Sequence, residues 1–213
     1  LPRRFRLKNR KGPVLVKPYS EACDRNRDPI LAVIRPVLAE YRSVLEIGSG
    51  TGQHAVYFAE RLPHLLWHTS DREEHRAGIE MWLAEANVKN VRPPLALDVT
   101  QSPWPAVDAD AVFSANTAHI MHWREVRALF AGVGGLLPEG GVFLLYGPFN
   151  YNGAYTSESN ERFDGWLKSR DPLSGIRHFE DVDLLARQAG MVLREDLAMP
   201  ANNRLLYWQK QAV

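Results

Sequence analysis

Val44-Leu-Glu-Ile-Gly-Ser-Gly-Thr-Gly52 decides how this chain is read. A short apolar strand, with one acid inside it, runs straight into three glycines at alternating positions. Glycine permits the sharp turn and lets a ligand approach where a Cβ would stand in the way. The helix predicted next, through about Arg61, aims its unpaired N–H groups at the same spot. Such a turn is common by itself, and two acids narrow it. Glu46 sits two residues before the first glycine, where a dinucleotide-binding strand would carry another apolar residue. Position 53 is Gln, so the third glycine of G-x-G-x-x-G is missing. Asp71 ends the next strand, where doubly wound folds place an acid for ribose hydroxyls; a helix cap is its other reading.

Outward from this stretch, strands and helices alternate. Asp28-Pro29 reads as the cap and first position of a helix with an apolar stripe of Ile30, Leu31, Val33, Ile34, Val37 and Leu38. Strands are predicted at 43–47, 65–70, 94–97, 109–115 and 142–146, with helices at 73–87, 123–137 and 180–189. Two closing strands, 191–198 and 204–209, are joined by Met199-Pro-Ala-Asn-Asn203 and must run antiparallel to each other. The pattern gives an α/β class: a doubly wound, Rossmann-like, mostly parallel seven-stranded sheet with an antiparallel last strand. Residues 147–178, rich in Gly, Pro, Asn and Ser with one helix around 160–169, form a lid-like insertion.

The 213 residues suit one domain, and 45% hydrophobic with 24% charged residues is ordinary for a globular protein. No apolar run reaches the length of a membrane span. The lone Cys23 excludes an intrachain disulfide and a Cys-based zinc site, and suits the cytoplasm. Seven basic residues and no acid fall within 1–17, leaving 19 basic against 25 acidic residues beyond it. We therefore divide the chain into a basic arm, 1–17, and a domain, 18–213. The arm reads as a solvated tail, a transit segment or a nucleic-acid contact, with nucleic acid the less favoured partner.

The glycine stretch resembles the E-x-G-x-G-x-G first motif of class I S-adenosylmethionine-dependent methyltransferases, and Pro138-Glu-Gly-Gly141 resembles the turn before their fifth strand. The resemblance implies S-adenosylmethionine as cofactor, lined by Gly48, Gly50 and Gly52. Glu46 would hold the loop or reach the methionine ammonium through water. Asp71 would bind ribose and Asp98 the adenine amino group, with Val99 against the ring; a turn residue is the alternative for Asp98. Asn116 would face the methionine part. A narrower resemblance rests on Arg25-Asn26-Arg27-Asp28-Pro29-Ile30-Leu31, Tyr146-Gly-Pro-Phe149, Tyr155-Thr-Ser-Glu-Ser-Asn160 and Met199-Pro-Ala-Asn-Asn203. These look like a small methyltransferase family known mainly as a domain of unknown function, to which the animal protein methyltransferase-like 26 belongs. Arg25 and Asn26 join the cofactor set on that ground.

Ligands of a doubly wound sheet sit beyond the carboxyl ends of its parallel strands. Asn116, His119 and His122 follow strand four, Tyr146 to Tyr151 follow strand five, and Asn202 and Asn203 return to the same edge. His119 is the first candidate base for a small-molecule acceptor and Tyr146 the second. Trp123, Tyr151, Asn202 and Asn203 are candidate acceptor contacts; both asparagines also read as turn residues. No N/D-P-P-Y signature, acidic metal cluster or zinc spacing accompanies them, so no metal is expected. Segments 18–29 and 147–160 are expected to close together over the cofactor. The rival readings are a noncatalytic S-adenosylmethionine-binding module and, disfavoured by Glu46 and Gln53, an NAD-dependent oxidoreductase. Oligomeric state has no signal.

Overall fold

Side chains of successive residues on β1 (Ser43–Ile47) enter two different cores, which is why this strand needs helices on both faces. Leu45 and Ile47 join one core; Val44 joins the other, and Glu46 points to the same side as Val44. The computed structural model describes residues 16–212. Along the chain follow α1 (Glu21–Val37), which precedes β1, then α2 (Gln53–Arg61), β2 (Leu66–Asp71), α3 (Glu73–Ala86), β3 (Val91–Ala96), β4 (Ala111–Ala115), α4 (Trp123–Leu136) and β5 (Val142–Gly147). The remainder comprises β6 (Phe149–Asn150), α5 (Glu158–Arg170), β7 (Arg177–His178), α6 (Phe179–Gln188), β8 (Met191–Met199) and β9 (Asn203–Lys210).

The main sheet has seven strands in the order β3-β2-β1-β4-β5-β9-β8. Strands β1 to β5 are parallel, and β9 runs antiparallel between β5 and β8. Helices α1 and α2 cover one face through Ile30, Leu31, Ile34, Ala55 and Phe58. Helices α4 and α6 cover the other through Val126, Leu129, Phe130, Val133 and Val182. The predicted class and sheet are those observed, and every carboxyl end of β1 to β5 opens on one edge. No helix among the described residues is long and apolar enough to cross a membrane.

Two expectations need correction. Helix α1 begins at Glu21, not after Asp28, and carries Pro29 in its interior. A proline there removes one backbone bond at a cost of about 3 kcal/mol, and polar side chains tie the first two turns down regardless. Gln53 accepts from the Ser20 N–H at 2.6 Å and donates to its carbonyl at 3.2 Å; His54 meets Asn26 at 2.7 Å, and Tyr57 donates to Asp28. Most of segment 18–29 is therefore helix rather than turn. The insertion, in turn, is not a plain loop: β6 and β7 pair as a two-stranded parallel sheet around α5. The arm expected over 1–17 lies outside the described residues up to position 15. Lys17 stands over the Trp82 ring at 3.8 Å and pairs with Glu85 on α3.

Candidate active site

The glycine loop is held by the end of β2. Ser70 accepts from the N–H groups of Gly48 and Ser49 at 3.0 and 2.9 Å, and Asp71 Oδ2 accepts from the Gly50 N–H at 2.7 Å. Gly48, at φ +74°, has no room for a side chain, because a Cβ would stand 2.6 Å from Thr117 Cγ2. Gly50, at φ +57°, is the reverse: a Cβ there would meet nothing within 4 Å. The loop thus presses on the segment after β4 at one glycine and opens to free space at the next. Glu46, 2% exposed, accepts from Ser49 Oγ at 2.9 Å and from Trp67 Nε1 at 3.1 Å. Burial pushes its carboxyl up to about 7, against the pull of those two hydrogen bonds. These contacts make Glu46 a brace under the loop.

Asp71, the residue expected to bind ribose, is heavily engaged within the protein. Besides Gly50, it accepts from the Arg72 N–H at 2.8 Å and from His75 Nδ1 at 2.7 Å, both on Oδ1. A carboxylate offers about four lone-pair positions, so one remains, on Oδ2. It is not the cap residue of α3; Arg72 stands there without a side-chain cap bond. Asp98, after β3, spends Oδ1 on the N–H and hydroxyl of Thr100 at 2.9 and 2.7 Å, which lowers its pKa and leaves Oδ2 free. Val99 beside it is 8% exposed and packs into the α4-side core. Asn116 adopts the left-handed region at φ +58°, and its N–H donates to the Tyr146 carbonyl at 2.9 Å. A non-glycine residue held there, at the end of β4, is local strain at the strand-end edge.

On the α1 side, half-buried Asn26 and buried His54 form a polar junction. His54 is 5% exposed, stacks on Phe58 at 5.2 Å, and is pushed down to about 4 by burial and then by Arg27. The neutral ring must donate through Nε2, since Asn26 Oδ1 can only accept. Tyr146 is 3% exposed, and burial raises its phenol despite the opposing pull of the nearby Asn26 and Asn203 amides. Sequence reading passed over Gln53 and His54 as site residues, although polar residues in the first turn after the glycine loop were the available signal. Arg25 is exposed and pairs with Glu21 at 3.1 Å on the outer side of α1, so nothing brings it to the loop. Cys23 Sγ lies 4.0 Å from His54 Nδ1, and burial raises its thiol.

His119 follows β4, is 6% exposed, and meets the Phe163 ring edge-on at 5.3 Å. Burial, with a smaller contribution from Arg177, pushes it down to about 4, so it is neutral at physiological pH. The insertion is fastened to this segment. Gly175 donates to the His119 carbonyl at 2.9 Å, Arg177 donates to the carbonyls of Ala118 and Met121, and His122 pairs with Asp171 at 2.6 Å. Trp123 is 37% exposed at the start of α4, with the Arg177 guanidinium 6.0 Å from its ring. Tyr151 is committed elsewhere: it donates to Asp196 at 2.8 Å, and burial first, then Asp196, drives its pKa far up. The Asn202 side-chain amide donates to Ser159 Oγ, and its backbone carbonyl accepts from the Asn160 amide, each at 3.1 Å. Of the four expected acceptor contacts, Asn203 alone is brought to Tyr146.

Open grooves of about 750 and 650 Å³ flank α4, and neither is lined by the glycine loop. The candidate site residues gather at the strand ends instead. Among the described residues no group of three or more His, Cys, Asp or Glu is placed to hold a metal.

The family model described as "Protein of unknown function (DUF938)" matches residues 17–210, nearly the whole chain. The chain belongs to this DUF938 family. Among solved structures, an O-methyltransferase family protein from Burkholderia thailandensis superposes with a TM-score of 0.79 at 18% identity, covering 90% of this chain and 58% of that one. The S-adenosylmethionine-dependent methyltransferase SibL in its apo form gives 0.76 at 22%, covering 90% and 56%. Human N-acetylserotonin methyltransferase in complex with SAM gives 0.73 at 16%, covering 90% and 53%. At these identities the likeness establishes the fold. This DUF938 chain spans little more than half the length of these neighbours.

Proposed function

We propose that this DUF938 protein is an S-adenosylmethionine-dependent methyltransferase acting on an oxygen, sulfur or nitrogen nucleophile of a small molecule. The observation that carries the reading is the junction of Gly50 and Asp71: a glycine open to free space, bonded at 2.7 Å to an acid that keeps one lone pair unspent. Gly48, Gly50 and Gly52 would line the cofactor, Asp71 would take a ribose hydroxyl through Oδ2, and Asp98 Oδ2 would accept from the adenine amino group beside Val99. The left-handed Asn116 would face the methionine part. Bound there, the cofactor supplies an electrophilic methyl group on sulfur. The neighbours' printed activities agree with the reading, as does the kinship to methyltransferase-like 26 suggested by the 25–31 and 199–203 segments.

His119, neutral and buried beside β5, is the group suited to take a proton from the acceptor; a positioned base contributes about 10²–10⁴-fold. Tyr146 is poorly suited, because burial holds its phenol protonated. The insertion, pinned to the His119 segment, would shield the reaction from water. Incubation with methyl-labelled S-adenosylmethionine and a fractionated small-molecule extract tests this. Label is expected in a low-mass product, with His119→Ala slowing transfer by about 10²–10⁴-fold while cofactor binding persists. Cofactor binding without any labelled product would favour the noncatalytic module, and an unslowed variant would remove His119 as base.

A further inference from the structure

Burial without a partner singles out two side chains. Among the described residues, every buried Ser, Thr, Asn, Gln, His, Asp and Glu side chain has a hydrogen-bond partner within the protein except His119 and Asn150. These two are 6% and 5% exposed. His119 follows β4, and Asn150 ends β6, three residues beyond β5. Strands β4 and β5 are neighbours in the sheet, so both unbonded groups fall on the edge where doubly wound folds hold their ligands.

The stretch 175–178 ties their segments together. Gly175 donates to the His119 carbonyl at 2.9 Å and Arg177 Nε to the Ala118 carbonyl at 3.0 Å, while Arg177 and His178 pair with Phe149 and Asn150 between β6 and β7. Gly147, the last residue of β5, borders the same histidine: a Cβ there would stand 3.7 Å from His119 Nδ1. A buried amide with no partner is costly to the fold, and an apolar residue of its shape would serve packing better. A ligand that completes its bonding accounts for an amide kept at such a place. Asn150 Oδ1 is enclosed by protein, which leaves Nδ2, a pure donor, as the end that can meet that ligand.

We propose that Asn150 is an acceptor-binding residue whose Nδ2 donates to a hydroxyl or carbonyl oxygen carried beside the nucleophile that faces His119. The inference rests on the proposed function and narrows it. The methyl acceptor then has two polar atoms close together: one bears the proton that His119 takes, and the other is an oxygen held by Asn150.

Asn150→Leu, which keeps the shape and removes both hydrogen-bonding ends, tests this in two ways. Thermal unfolding without ligand should give a melting temperature equal to or above that of the wild type, because no internal bond is lost. Transfer from methyl-labelled S-adenosylmethionine to the extract fraction that the wild type labels should fall about tenfold or more at limiting acceptor. Calorimetric affinity for S-adenosylmethionine should stay unchanged. A lowered melting temperature overturns the assignment, since the amide would then be bonded within the fold, and undiminished labelling overturns it too. Mass spectrometry of the wild-type product adds a check that needs no variant: the labelled molecule should carry an oxygen besides the methylated atom, and a product without one overturns the proposal. A wild type that binds S-adenosylmethionine yet labels nothing overturns the proposed function, and this assignment with it.

Discussion

Glu46 is the residue at which burial and ionisation pull hardest against each other. Its carboxyl lies beneath the glycine loop, and burial raises its pKa from 4.5 to about 7. A group raised in the folded state lends stability that is complete below its unfolded pKa and is lost as pH rises through the folded value. The shift corresponds to on the order of 3 kcal/mol. Wild-type protein should therefore lose melting temperature between about pH 5 and 8 relative to Glu46→Gln, which keeps the shape without the charge. Thermal unfolding of both proteins across that range checks this, and parallel profiles would contradict it. The comparison cancels His54 and His119, whose depressed values act with the opposite sign and cost stability as pH falls toward 4. In the sequence Glu46 is conspicuous as an acid in a buried strand, yet nothing marks Trp67 as its partner. Their bond depends on the register of β1 with β2, where Glu46 lies opposite Thr69.

Helix α1 is two pieces joined at Pro29. Beyond the proline, Ile30, Leu31 and Ile34 are buried in the core; before it, Glu21 to Asp28 holds on chiefly through Gln53, His54 and Tyr57. Polar docking of this kind opens more readily than apolar packing. Cofactor binding at the adjacent loop should slow amide exchange in residues 21–28 by about tenfold or more and leave 30–37 unchanged. Hydrogen exchange with and without S-adenosylhomocysteine measures this, and no gain of protection in 21–28 would contradict a closing role for the helix. The strands and most helices were legible because apolar periodicity and glycine stops mark them. The true start of α1 was not, since Asp28-Pro29 is a sound local helix start and is overridden only by contacts with α2. Two-residue strands such as β6 and β7 have no periodicity to read.

At the scale of the whole molecule, the sheet brings one acid from each of β1, β2 and the β3 exit to a single edge, with the glycines between them. This much follows from alternation and from glycine placement, so the fold and the gathering of these acids and glycines at one edge could be read from the chain. The side-chain partners of the expected acceptor contacts could not. Tyr151 and Asn202 reach the right edge in sequence, and their side chains then bond Asp196 and Ser159, a matter of side-chain direction that spacing does not carry. The central claim is that this edge binds S-adenosylmethionine and not a dinucleotide. Titration calorimetry of the protein with S-adenosylmethionine, S-adenosylhomocysteine and NAD tests it most directly. The account predicts saturable, micromolar-range binding of the first two and none of NAD; binding of NAD, or of none of the three, would contradict it.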